Sequence, residues 1–132
     1  MKVIKGHWAK ALTYDDVLLT PQYSDIRSRS EVHIGNRLLS AGQGRYSCDF
    51  TLPIIASPMD TVAESEMAIA MWQEGGLAVI HRYNTIKQQV NIANHTIYAG
   101  ANASAAIGTS GDYLERARAL VESGVRILCV DV

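Results

Sequence analysis

Four short apolar runs, at residues 52–57, 77–82, 103–108 and 126–131, recur through the second half of the chain and constrain its fold more than any other feature. Each is continuous rather than alternating, the pattern of a strand buried on both faces in a parallel sheet. Their starts lie 25, 26 and 23 residues apart, from positions 52, 77, 103 and 126. A helix fits between each pair, so the spacing predicts consecutive βα units with right-handed crossovers. The third run, Ala103-Ser104-Ala105-Ala106-Ile107-Gly108, is weak as a strand on propensity and is assigned from its place in the series.

The segments between the runs open alike. Thr61-Val62-Ala63-Glu64, Thr85-Ile86-Lys87-Gln88 and Asp112-Tyr113-Leu114-Glu115 each match a capping box, in which the first side chain accepts a backbone N–H and the fourth reaches back. The first helix carries Val62, Met67, Ala70 and Met71 and stops at Gly75-Gly76. The second carries Ile86, Val90 and Ala93, with no clear stop signal. The third places Leu114, Ala117, Leu120 and Val121 on one face and ends at Gly124, a natural C-terminal cap.

Composition narrows the class. Of 132 residues, 48% are hydrophobic and 19% charged, with formal net charge -1. Such a chain folds rather than staying disordered, and it lacks the cationic surplus of a nucleic-acid binder or a polybasic membrane anchor. No apolar run approaches the roughly 18 to 20 residues of a membrane-spanning helix. Residues 1–10 hold Lys2, Lys5 and Lys10 but no apolar core, so no secretory signal is read there. Cys48 and Cys129 stand far apart, giving neither a disulfide framework nor a zinc site, and a cytoplasmic setting is expected.

Two architectures accommodate the repeat, a (β/α)8 barrel and an open doubly wound sheet. The chain stops at Val132, directly after the fourth run, which favours a piece of a larger barrel. No Walker loop or GxGxxG fingerprint follows any strand, which weakens the open-sheet alternative. Residues 1–51 are polar and turn-rich, as at Gly42-Gln43-Gly44, and are read as an N-terminal extension, either a cover for the barrel bottom or a hairpin.

Chemistry in a parallel α/β sheet collects at the carboxyl ends of the strands. Ser57-Pro58-Met59-Asp60-Thr61 follows the first, His81-Arg82-Tyr83-Asn84 the second and Gly108-Thr109-Ser110-Gly111 the third, while Asp131 ends the fourth. Each has a plainer explanation: Ser57 or Thr61 as a helix cap, the glycine-flanked loop as a tight turn, His81 as a satisfied core or rim residue. Gathered on one rim, they are read as a binding site. Cys129 lies inside an apolar strand as a small hydrophobe, and Cys48 has no basic partner nearby in sequence, so neither is assigned as a nucleophile.

At these residues the chain resembles the IMP dehydrogenase and GMP reductase family. The resemblance is carried by Leu12-Thr13-Tyr14-Asp15-Asp16-Val17-Leu18-Leu19-Thr20-Pro21, Ser28-Arg29-Ser30-Glu31-Val32, residues 52–62, Gly75-Gly76-Leu77-Ala78-Val79-Ile80-His81-Arg82, Ala105-Ala106-Ile107-Gly108-Thr109 and Cys129-Val130-Asp131-Val132, in the family's order. It implies a (β/α)8 barrel, with residues 52–132 as its first four strands and three helices. It implies action at C2 of a purine nucleoside monophosphate: oxidation of IMP to XMP with NAD, or reductive deamination of GMP to IMP with NADPH. By motif position, Ser57 and Met59 would contact the nucleotide with His81 and Arg82 close by. Asp131 would hold the nicotinamide ribose, and Thr109 with Ser110 would line the cofactor path. The family's catalytic cysteine and phosphate-binding glycine loops have no counterpart in these residues, nor does the monovalent-cation site of complete members. No catalytic or metal-binding residue is therefore assigned, and the 132 residues alone are expected to be inactive. The tandem regulatory module that often precedes the third strand is absent, residues 91–102 standing in its place. That absence leans towards the reductase. Ser57-Pro58-Met59-Asp60 leans towards the dehydrogenase, which is placed ahead because this motif would line the site. Family membership also implies a homotetramer when complete. An alternative of another class is a non-catalytic half-barrel that assembles only with a complementary chain.

Overall fold

The computed structural model describes residues 12–39 and 47–132. The expectations for residues 1–10 and for the turn at Gly42-Gln43-Gly44 lie outside the described residues, as does the side chain of Cys48. The chain divides into two units, Met1–Val32 and His33–Val132.

In the first unit, two single turns of 3-10 helix, Tyr14–Asp16 and Arg29–Glu31, are the only regular elements among the described residues. The backbone N–H and the hydroxyl of Thr13 both donate to Asp16 Oδ2, at 3.0 and 3.2 Å, closing the first. The Ser28 hydroxyl accepts the Ser30 N–H at 3.3 Å and caps the second.

The second unit begins with an antiparallel hairpin, β1 (Asn36–Leu39) and β2 (Ser47–Phe50), paired Asn36 to Phe50 and Leu39 to Ser47. A separate parallel sheet follows: β3 (Ile55–Ala56), β4 (Leu77–Ile80), β5 (Ser104–Ile107) and β6 (Ile127–Val130), in that spatial order. Between them lie α1 (Ser65–Gln73), α2 (Ile86–Tyr98) and α3 (Tyr113–Glu122). All four runs become strands and every pairing is parallel, as the spacing predicts. The first strand is shorter than its run. Pro53 offers no N–H to a ladder, and the Ile54 N–H turns back onto the Leu52 carbonyl at 2.8 Å, which leaves only Ile55 and Ala56 paired with β4.

The core lies between the sheet and the helices. Ala78 and Ile80 of β4 and Ala105 and Ile107 of β5 pack with Ala68, Ala93 and Leu120, one from each helix. The opposite parity is also covered, since Leu77, Val79, Ser104 and Ala106 are buried. Double burial accounts for the unbroken apolar runs of β4 and β5, and the small side chains of β5 suit a strand enclosed on both faces. The Ser104 hydroxyl is satisfied by the Ala78 carbonyl of the neighbouring strand, at 2.5 Å. Full burial of Ile80 and Leu120 contributes about 1.5 to 3 kcal/mol each.

Of the three expected capping boxes, only one forms. Thr85 Oγ1 accepts the Gln88 N–H at 3.2 Å while Gln88 Oε1 accepts the Thr85 N–H at 3.0 Å. The chain at Thr61 instead makes a separate turn, in which the Ala63 N–H bonds Met59 O at 2.9 Å, and α1 starts only at Ser65 with Glu64 as N-cap. Asp112 does sit at the N-cap of α3, but its carboxylate takes Arg116 rather than a backbone N–H. All three helices end in a left-handed glycine, Gly75, Gly100 and Gly124, so the unmarked stop of α2 uses the same device as its neighbours.

Candidate functional site at the carboxyl ends of the strands

Because β3 to β6 are parallel and adjacent in order, the loops carrying Ser57, His81, Arg82, Thr109, Ser110 and Asp131 all leave the same edge of the sheet. Ser57 and Met59 are exposed on the β3–α1 loop, and the Met59 N–H bonds the Ser57 carbonyl at 2.8 Å. Thr109 and Ser110 are exposed between β5 and α3. Within the same loop as Ser57, Thr61 has φ +60°, a conformation disfavoured for a β-branched residue and costing about 1 to 3 kcal/mol.

Arg82 and Asp131 come together. Arg82 Nε donates to Asp131 Oδ2 at 3.0 Å, joining the ends of β4 and β6 across β5. The guanidinium passes over Gly108, where an added Cβ would stand 3.4 Å from Nη1, and lies 5.2 Å from the Tyr83 ring centre. Both partners are about one-third exposed, so the pair contributes at most about 1 kcal/mol. It leaves Asp131 Oδ1 without a protein partner among the described residues, and a carboxylate oxygen of this kind accepts hydroxyl groups. An acceptor so placed fits a ligand hydroxyl.

His81 is differently placed, with only 2% of its surface exposed. Its Nδ1 accepts the Tyr83 N–H at 3.2 Å, which assigns the ring proton to Nε2 and makes that atom the donor to Glu64 Oε1 at 3.3 Å. Asp60 Oδ1 stands 3.7 Å from Nδ1. The ring forms part of the wall of a cavity of about 370 Å³ with Asp60, Glu64, Tyr83, Asn84 and Gln88. Ser57, Met59, Arg82, Thr109 and Asp131 are not among the residues lining that cavity.

Behind the rim runs a buried polar network that the sequence reading missed. Gln89 of α2 is fully buried, and its Nε2 donates to the carbonyls of His81 at 3.0 Å and Ala106 at 2.9 Å, where β4 and β5 end. Its Oε1 accepts Arg116 Nη1 at 2.9 Å. Arg116, itself buried, also donates to Asn84 O at 2.9 Å and to Asp112 Oδ2 at 2.7 Å. The Arg116 hydrogen bond holds the Asp112 carboxyl below its usual range. The legible signals were a Gln on the apolar stripe of α2 and an Asp–Arg pair four residues apart. Among the described residues no cluster of three or more His, Cys, Asp or Glu side chains is arranged to hold a metal ion, and no helix is long and apolar enough to cross a membrane.

The fold and rim define a parallel α/β unit whose polar groups face the carboxyl ends of its strands. Residues 11–132 match the family model described as IMP dehydrogenase / GMP reductase domain, and the chain belongs to that family. It is 44% identical over 82 residues to the inosine-5'-monophosphate dehydrogenase of Nitrosopumilus maritimus, covering 62% of this chain and 16% of that protein. It is also 44% identical over 80 residues to the GMP reductase of Leishmania donovani, covering 61% of this chain and 15% of that protein. The dehydrogenase of Rhodopirellula baltica is 42% identical over 78 residues, 59% of this chain and 13% of its own length. The chain thus spans about one-sixth or less of the curated relatives it matches.

Proposed function

We propose that this chain supplies the first four strands of a (β/α)8 barrel acting at C2 of a purine nucleoside monophosphate, most closely as an IMP dehydrogenase using NAD. The observation that carries the proposal is the family match over residues 11–132, combined with a rim where Ser57, Met59, Thr109, Ser110 and Asp131 leave one edge of a parallel sheet. In this reading Ser57 and Met59 contact the nucleotide. Asp131 presents Oδ1 to the nicotinamide ribose while Arg82 holds Oδ2, and Thr109 with Ser110 borders the cofactor path. Hydride transfer would be the chemistry of the bound nicotinamide, and these residues bind and orient the two reactants. Neither Cys48 nor Cys129 occupies the family's nucleophile motif, so residues 1–132 alone are expected to turn over no substrate. In this reading the working protein is a cytoplasmic homotetramer.

The motif Ser57-Pro58-Met59 supports the dehydrogenase over a GMP reductase using NADPH. The assay that decides compares NADH formation from IMP and NAD with NADPH consumption on GMP, in the full-length protein. Turnover of IMP with none of GMP is expected; turnover of GMP alone would transfer the assignment to the reductase, and neither would refute both.

A second reading, a half-barrel completed by a separate chain, is supported by the edges of the sheet. β3 and β6 are each paired on one side only, and Ile55 is 51% and Val130 59% exposed. Co-expression with a barrel's complementary half would test it: a co-purifying complex is expected, and two independently eluting chains would exclude it.

A further inference from the structure

We infer that His81 is a positioning residue that holds the β3–α1 loop in shape without itself touching the ligand; this rests on the reading that Ser57 and Met59 meet the nucleotide. The β3–α1 loop is largely exposed apart from buried Ala63, and one buried imidazole reaches Glu64 at its end. The His81 backbone N–H donates to Ala63 O at 3.1 Å, and Nε2–H donates to Glu64 Oε1 at 3.3 Å. The Tyr83 N–H at Nδ1 fixes the tautomer that makes the second bond available. Glu64 is the N-cap of α1 but makes no side-chain cap bond, so its carboxylate serves the imidazole instead of the helix.

Between Ser57 and this anchor sits Thr61 at φ +60°. A β-branched residue persists there only where its surroundings over-determine it. The turn is closed by the Val62 and Ala63 N–H groups on the Met59 carbonyl, at 3.2 and 2.9 Å, and the residues that follow it, Ala63 and Glu64, are held by His81. The main-chain bond to Ala63 survives replacement of the side chain, so it is loss of the imidazole–Glu64 bond that lets Thr61 relax to negative φ, and the chain from Ser57 to Asp60 swings with it. The imidazole is 2% exposed and lines a cavity that Ser57 and Met59 do not share, so its effect on binding at those residues passes through the loop.

The test uses the full-length protein, calorimetric titration with IMP and, without ligand, the backbone chemical shifts of Thr61. His81→Ala should weaken IMP binding about tenfold, as expected when the competent loop conformer falls to about a tenth of its population. It should also move the Thr61 shifts towards negative φ. His81→Gln, whose amide N–H can still reach Glu64, should stay within about threefold of the parent. Adding Thr61→Gly to His81→Ala should restore most of the loss, because glycine enters positive φ without help. A merely structural role for His81 predicts no such rescue, and absence of rescue overturns the inference. If His81→Ala fails to fold, Glu64→Ala, altered at an exposed side chain, should show a weaker loss with the same rescue by Thr61→Gly; no loss there overturns it equally. Should the parent protein bind neither IMP nor GMP, the proposed function falls. The Thr61 shifts still decide whether His81 sets the loop, and unchanged shifts in both variants would reject the tether.

Discussion

The middle of the sheet and its two edges are built differently. β4 and β5 are buried on both faces, and the carbonyls at their ends are bound by Gln89, which is in turn held by Arg116. β3 has two paired residues and β6 half-exposed side chains. The residues proposed to meet ligands leave both kinds of strand: Ser57 and Met59 follow β3 and Asp131 follows β6, while Thr109 and Ser110 follow β5. The outer two groups are tied to the centre by long side chains, His81 to the first loop and Arg82 to Asp131. The centre is held by its own buried contacts, and the loops at both edges are held by side chains that start from the centre.

The largest effect should come from the centre. Leu120→Ala removes a fully buried side chain from the helix–sheet core and should cost about 2 to 5 kcal/mol, read as a lower urea midpoint. A loss below about 1 kcal/mol would mean that the core is not where the packing places it. Gln89→Leu comes next, because it strips the His81 and Ala106 carbonyls and Arg116 of a buried partner. About 1 to 3 kcal/mol is expected in the same measurement.

How much of this was legible depends on which side of the backbone carries the information. The parallel order of β3 to β6 followed from regular spacing and continuous apolarity, which reports burial on both faces in β4 and β5, while β3 and β6 carry the same pattern half-exposed. The length of β3 did not, since Pro53 cuts the ladder inside an apolar run. Two of three capping boxes were misread for different reasons: the chain at Thr61 turns away at positive φ and leaves Glu64 to pair with His81, 17 residues on, while Asp112 pairs with Arg116 one turn along its own helix rather than with a backbone N–H. The pairing of Arg82 with Asp131 joins positions 49 residues apart and leaves no local trace. Gln89 was hidden because a single polar residue on an apolar stripe looks like an interruption until the carbonyls it serves are in view.

Smaller effects sharpen the contrast. The Asp112 carboxyl is held low by Arg116, so its contribution to stability is complete above its unfolded value of 3.8 and is lost as pH falls through the lower folded value. The difference in urea midpoint between the parent and Asp112→Asn should therefore be constant near neutrality and shrink only in that acid range. A difference that instead grew on acidification would reverse the sign of the coupling. At the edge, Val130→Thr should change stability by no more than about 0.5 kcal/mol, since its side chain is 59% exposed. A cost like that of a core residue would show that β6 is covered in solution.

The central claim is that the two edges of one rim serve two different ligands. Michaelis constants for IMP and for NAD, taken together in full-length Ser57→Ala and Asp131→Ala proteins, test it most directly. Asp131→Ala should raise the constant for NAD while leaving that for IMP near the parent value. Ser57→Ala should raise the constant for IMP, by the equivalent of about 1 kcal/mol for one neutral hydrogen bond. An Asp131→Ala protein altered only towards IMP, or two variants that change neither constant, would contradict the account.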